Sequence, residues 1–188
     1  MGDKYKNLFS TKSVYEIEKH LYDNGSKGLS LMMKAAFAAY EHINLNTMGK
    51  VIILCGKGNN GGDGFGLAAL LFMAGRIVEI YKVEEPTKKE AKLALKLCLK
   101  LGVKVTNFSQ PLKKADIYVD ALLGAGIQKS PKLPYKSIIK DLIKAKNKGK
   151  EIISLDVPSG VDGTTGEAYF PAVNATTTIT FLAMKKGL

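Results

Sequence analysis

Apolar residues fall along this chain in two rhythms. Val51 to Cys55 form a short uninterrupted run, rich in β-branched residues, as a strand buried on both faces of a parallel sheet would be. From Phe65 the spacing changes: Leu67, Ala68, Leu70, Leu71 and Ala74 recur at intervals of three and four, and Gly75 is placed to end a helix. The same reading predicts strands at 51–55, 77–83, 103–106, 116–120, 151–157 and 176–182, and helices at 13–23, 29–43, 65–75, 87–101 and 135–147. Strands alternating with helices imply an α/β fold, a parallel sheet covered on both faces. Lys88, Lys92, Lys96 and Lys100 recur every fourth residue with Leu93, Leu97 and Leu101 opposite. Lys136, Lys140, Lys144 and Lys148 do the same with Ile139, Leu142 and Ile143 opposite. Each set reads as the wet face of an amphipathic helix.

Composition changes this picture little. At 188 residues, 46% hydrophobic and 24% charged, the chain suits one soluble globular domain with a substantial core. No apolar run approaches the roughly 20 residues of a membrane span, and the opening stretch MGDKYKNLFSTKSVYEIEKH has no apolar leader region. A cytoplasmic protein is expected. Cys55 and Cys98 have no CxxC or metal-ligand spacing and are expected as reduced core thiols. The net charge of +11 invites a nucleic-acid surface, but Arg76 is the only arginine, whereas bidentate recognition of phosphates and bases favours arginine. Solvated lysine faces are the simpler reading.

Candidate chemistry gathers in three loops, each following a predicted strand. The first, GKGNNGGDG, has five glycines in the nine residues from 56 to 64, and Gly56, Gly58 and Gly61 fit GxGxxG. Such a junction binds phosphates when glycines let the backbone approach and free helix amides meet the anion; a tight turn without a ligand fits the pattern too. Asp63 would repel a bare phosphate, though it can cap the helix or hold a ribose hydroxyl. The second loop is VDALLGAGIQKS, where Asp120 closes a strand and Gly124 and Gly126 free the backbone for close approach. The third is SLDVPSGVDGTTG, with Asp156 at a strand end and Pro158 and Gly160 turning the chain around Ser159. In parallel sheets ligands sit beyond the carboxyl ends of the strands, where all three loops lie.

These segments, followed by TITFLAMKKGL, resemble in order and spacing the successive motifs of the NAD(P)HX epimerase family, also called the YjeF N-terminal domain, from about residue 14 onward. The resemblance implies a Rossmann-like three-layer α/β/α sandwich with a mostly parallel sheet and two N-terminal helices, usually dimeric. It implies an isomerase that interconverts the R and S forms of NADHX and NADPHX, hydrated and damaged nicotinamide cofactors, for a fused or separate dehydratase that accepts only the S form. Carried over by position, it implies that Asn59, Asn60, Gly61, Gly62 and Asp63, with Gly124, Ala125, Gly126, Ile127, Gln128, Lys129 and Ser130, hold the nucleotide, and that Asp156 contacts its hydrated ring. It also implies a potassium ion on Asn60, Asp120 and Ser159, oxygen ligands of the kind a hard cation takes. Two departures stand out. The family's LMExAG reads LMMKAA here, at Leu31 to Ala36, and the family runs on for a few tens of residues past KKGL, so its last strand and helix are expected to lie outside this single domain, 1–188.

The altered ring carbon is a carbinolamine, which inverts by losing its hydroxyl to an iminium and regaining water from the other face, or by ring opening and reclosure. Both routes move protons and neither is a redox step. One carboxylate acting as acid and then base suffices. Asp156 is the candidate, with Lys185 or Lys186 as a second proton carrier. His20 and His42 fall in the early helices, away from the loops, and build neither a metal nor a Ser-His-Asp site. Two other readings compete. A dimeric nucleotide- or RNA-binding scaffold of this fold would have lost NNGGD, which is present; an ordinary NAD-dependent dehydrogenase would need a catalytic His or Tyr-Lys pair, which is not evident.

Overall fold

The computed structural model describes residues 7–188; residues 1–6, part of the stretch read as lacking an apolar leader, lie outside it. In chain order the elements are α1 (Thr11–Asp23), α2 (Gly28–Asn46), β1 (Val51–Cys55), α3 (Asn59–Met73), β2 (Val78–Lys82), α4 (Lys89–Leu101), β3 (Lys104–Asn107), β4 (Ile117–Ala121), α5 (Tyr135–Asn147), β5 (Glu151–Leu155) and β6 (Thr177–Ile179). The six strands form one parallel sheet in the order β3-β2-β1-β4-β5-β6. The order reverses between β1 and β4, which opens a crevice at their carboxyl ends.

Alternate strand residues feed two cores, as the period of two along a strand requires. Val51, Ile53, Ile80, Val119 and Ile153 pack under α2, α3 and α4, while Ile52, Leu54, Tyr118 and Ile152 pack under α5. This is the expected three-layer arrangement, with α3 at the centre of its layer against β1, and α2 and α4 beside it. Among the described residues no helix is long and apolar enough to cross a membrane.

The pattern misled in four places. The helix expected from Phe65 begins at Asn59, so NNGGDG is the opening of α3 and not a loop, and Gly58, not Asp63, takes the N-cap position. On α4 the lysines face water as expected, but Leu93 (42% exposed) and Leu97 stand out in solvent too; the buried stripe is Ala91, Ala94, Leu95 and Cys98, three of them small residues that let α4 lie close to α3. The strand expected over 151–157 stops at Leu155, because Asp156 turns the backbone to φ 65°. The strand expected over 176–182 stops at Ile179, and Leu182 takes φ 62° as the chain turns away.

The glycines explain the long α3. A Cβ on Gly61 would collide with the Gly56 carbonyl, and one on Gly62 with the Met32 side chain. On Gly64 it would lie 2.7 Å from the Ala121 Cβ, and on Gly66 2.9 Å from that of Ala36. Each interior glycine costs a helix about 1 kcal/mol against alanine, and here the cost is offset by close packing against β1, β4, α2 and α4. Gly58 alone of this group faces open space, so most of these glycines serve the fold and not the approach of a ligand.

Candidate functional site

Beyond the carboxyl ends of β1 and β4 lies a cavity of about 800 Å³. Its floor is the start of α3, with Asn59, Asn60 and Asp63, and the turn after β4, with Leu122 to Ile127. Asp156, at the end of β5, and Lys185 form a third side, and α1 closes a fourth with Val14, Tyr15, Glu18 and Tyr22. Of the residues singled out in the sequence, Asn59, Asn60, Asp63, Gly124, Ala125, Gly126, Ile127 and Asp156 line this space. Gly61 and Gly62 are buried in packing instead, and Gln128, Lys129 and Ser130 are exposed outside the cavity. Lys186 does not line it, and neither histidine does.

Asp120, Asn60 and Ser159 meet behind the floor. Asp120 is fully buried; its Oδ2 accepts from Ser154 Oγ at 2.9 Å and from the Ser159 amide at 2.8 Å, and its Oδ1 accepts from Ser159 Oγ at 2.6 Å and from the Leu122 amide at 3.2 Å. Ser154 reaches it because β4 and β5 pair Asp120 with Ser154 in register. Asn60, 7% exposed, donates from Nδ2 to the Leu123 carbonyl at 2.8 Å, and its Oδ1 is buried without a partner. Flipping that amide would set oxygen against oxygen at Leu123, so the orphan is the oxygen. All of Asp120's donors are neutral and no cationic side chain pairs with it among the described residues; burial pushes its carboxyl above the usual range, against the pull of these hydrogen bonds.

Asp156 carries the second feature. Its left-handed backbone is a conformation that aspartate tolerates better than most residues. Its amide donates to the Ile179 carbonyl at 2.8 Å, and its Oδ1 meets Lys185 Nζ at 2.6 Å. That ammonium, 2% exposed, also donates to Thr180 Oγ1 and the Phe181 carbonyl, each at 3.0 Å, and to the Ala183 carbonyl at 3.4 Å, so four acceptors hold it in place. Asp63, opposite, has no side-chain hydrogen bond or ion pair among the described residues. Burial pushes its carboxyl well above the usual range, the Asp156 and Glu18 carboxylates push further, and Lys185 opposes them.

Sequence reasoning missed α1, Lys57, Glu90, Tyr135 and the turn at Thr180 to Leu182, all of which line the cavity. The five α1 residues 11, 14, 15, 18 and 22 recur at helical spacing, a signal that was present but mixed aromatic, aliphatic and charged side chains.

Residues 28–187 match the model of the family described as YjeF-related protein N-terminus. The chain belongs to that family. YjeF-related relatives include the Bifunctional NAD(P)H-hydrate repair enzyme Nnr of Coxiella burnetii, 34% identical over 186 residues, which span 96% of this chain and 38% of that protein. An NAD(P)H-hydrate epimerase of Rhodopirellula baltica is 38% identical over 169 residues, 85% of this chain and 68% of its own length. An enzyme of the same name from Limosilactobacillus reuteri is 36% identical over 169 residues, 87% of this chain and 78% of its own. The crystal structure of the yeast protein ynu0, YNL200c, superposes with a TM-score of 0.86 at 25% identity, covering 96% of this chain and 82% of that one.

Proposed function

We propose that this chain is an NAD(P)H-hydrate epimerase, interconverting the R and S forms of NADHX and NADPHX. Membership of the YjeF-related family and the names of its relatives support the reading. The observation that carries it is Asp156, a residue in an uncommon backbone conformation whose carboxylate is paired with Lys185 at the edge of a nucleotide-sized cavity. Side chains fixed in such conformations gather at active sites.

In this mechanism the Asp156 carboxylate relays a proton from the Lys185 ammonium to the C6 hydroxyl, the C6–O bond breaks as water leaves, and the ring nitrogen's lone pair forms the iminium. Water then adds from the opposite face and returns its proton to the carboxylate. Lys185 holds that carboxylate toward the ring and stands as second proton carrier in place of Lys186, which lies outside the cavity. The free amides at the start of α3 and the backbone of Gly124 to Ile127 receive the nucleotide's phosphates and sugars, and Gln128 to Ser130 meet only parts that extend beyond the cavity.

Potassium belongs to the same proposal. The orphaned Asn60 Oδ1 and the uncompensated Asp120 carboxylate fit a hard monovalent cation, and Asn60, Asp120 and Ser159 would hold it. When bound, it supplies positive charge beside a phosphorylated ligand. The homodimer and the S-specific dehydratase, fused or separate, are the partners this reading expects.

The test mixes an S-specific dehydratase with both forms of NADHX and follows the R form. Its disappearance should become fast only when this protein is added. Loss of the R form at the spontaneous rate, in the presence of folded protein, would end the proposal.

A further inference from the structure

Helix α1 is an unusual wall. It begins in a pinned turn: the Phe9 amide donates to the Met184 carbonyl and the Lys186 amide to the Phe9 carbonyl, both at 2.9 Å, while the Thr11 amide donates to Thr164 Oγ1 at 2.9 Å. Beyond that turn it shares few contacts with other helices or strands, and Val14 is its one buried residue. The face it turns inward looks onto the cavity and not onto a core.

Two glycines of the site make room for this helix. A Cβ on Gly126 would lie 2.9 Å from Tyr15 Oη, and one on Gly163 would lie 2.9 Å from Thr11 Oγ1. The open side of Gly126, read from the sequence as room for a ligand, is taken by the Tyr15 phenol. Tyr15 remains 51% exposed, and its hydroxyl makes no hydrogen bond among the described residues. Its acidity is lowered by burial first and then by the Asp156 and Glu18 carboxylates, and all three residues line the same cavity. An aromatic ring whose tip lies against Gly126 and which stands half exposed beside a cavity is an available stacking surface.

We infer that Tyr15 is a ligand-contacting residue whose ring forms the surface on which the six-membered ring of the bound nucleotide lies, so that α1 presents that ring to Asp156. The inference rests on the epimerase reading and adds a binding residue to it. Stacking fixes which plane of the substrate lies against the protein, and Asp156 then meets its C6 edge. Glu18, which accepts from Tyr22 Oη at 2.9 Å, braces the same helix face one turn on.

The chain has no tryptophan, which makes the test direct. In Tyr15→Trp the sole indole should lose emission saturably as NADH is added, because the reduced cofactor absorbs where indole emits. Phe170→Trp, at a residue 76% exposed and outside the cavity, is the control and should show a much smaller saturable loss, because energy transfer to the bound cofactor falls steeply with distance. In parallel, Tyr15→Ala should weaken NADH binding by calorimetry and raise KM for NADHX by about ten-fold, with the melting temperature unchanged. Tyr15→Phe should recover most of that affinity. Wild-type affinity and KM in Tyr15→Ala, or an unquenched Tyr15→Trp that still binds NADH by calorimetry, would overturn the inference and leave the epimerase reading standing. A wild-type protein that binds no nucleotide would remove both.

Discussion

Carboxylates packed at the two ends of the parallel sheet can differ sharply in what pairs with them. Near the amino end, Glu79 is 3% exposed and sits among Lys50 and Lys113, each at 3.2 Å, and Lys104 at 3.4 Å, with Thr106 donating at 3.3 Å. Burial works against its charge, but the hydrogen bonds from Lys50, Lys113 and Lys104 outweigh it and hold the carboxyl below the usual range. Asp116, just before β4, is held low as well, chiefly by the Lys50 amide. At the carboxyl end, Asp120 has only neutral donors and Asp63 has none, and both are held high. Asp156 is paired with a single lysine, Lys185. The fold neutralises the charges it buries for its own sake and leaves the others to something it binds. That separation locates the site without reference to any relative, since uncompensated buried charge is costly unless a partner arrives.

The comparison breaks first at Asp156. Asp156→Asn keeps shape and much of the hydrogen bonding but cannot carry a proton, so NADH binding should survive while epimerisation falls about a hundred- to ten-thousand-fold, or roughly 3–5 kcal/mol. A folded variant turning over at near wild-type rate would pass the role to Lys185 or to water. If Asp156 only shapes the turn, melting temperature should drop in place of turnover.

Asp120 comes next. Potassium chloride should raise the wild-type unfolding free energy above that in choline chloride of equal ionic strength, by about 2.7 kcal/mol when the ion is at a hundred times its Kd. Asp120→Ala should abolish that difference. It should also cost about 1–3 kcal/mol in either salt, because the Ser154, Ser159 and Leu122 donors lose their acceptor. A potassium-specific gain that persists in the variant would show the cation bound elsewhere.

Glu79 tests the other end of the sheet. Its folded-state pKa is lowered, so its contribution is present above the unfolded value near 4.3 and is lost as pH falls through the folded value. Glu79→Gln should therefore cost about 1–2 kcal/mol at neutral pH, the low end for a broken buried pair because the lysines are partly solvated. The deficit should shrink in acid. A deficit unchanged between neutral pH and pH 3 would mean that packing and not charge holds Glu79.

How much of this was legible in the chain depended on whether a residue answers to its neighbours in sequence or in space. Val51 to Cys55 read correctly as a strand because burial on both faces leaves an uninterrupted apolar run. Asn60, Asp120 and Ser159 could be singled out, yet the bonds that join them run through the Leu122–Leu123 turn and through strand register, neither of which a motif displays. The start of α3 was misplaced because glycine reads locally as a breaker, and here its missing side chain serves contacts with β4 and α2 that exist only after folding. Leu93 and Leu97 were assigned to the core on periodicity, which cannot say how close two helices come; small residues on α4 take that face. Tyr15 was hidden for the converse reason. It is half exposed, buries little, and gains meaning only beside Gly126 and Asp156.

Asp63 gives the smallest expected effect and the sharpest sign. Its folded-state pKa is raised, so its contribution to stability is fully present below the unfolded value near 3.9 and declines as pH climbs through the folded value. Asp63→Asn removes that titration while keeping the shape. The variant and the wild type should unfold alike below about pH 4, and the variant should be the more stable by about 1 kcal/mol in neutral and mildly alkaline buffer. Glu79→Gln should move the opposite way over the same range, losing stability as pH rises from acid to neutral. The gain at Asp63 should come with weaker NADH binding, because a group left costly in the free protein is one whose partner is the ligand. Chemical unfolding of both variants across pH decides the matter: an Asp63→Asn protein less stable than wild type at pH 8 would place Asp63 with Glu79, and the contrast between the two ends of the sheet would no longer mark the site.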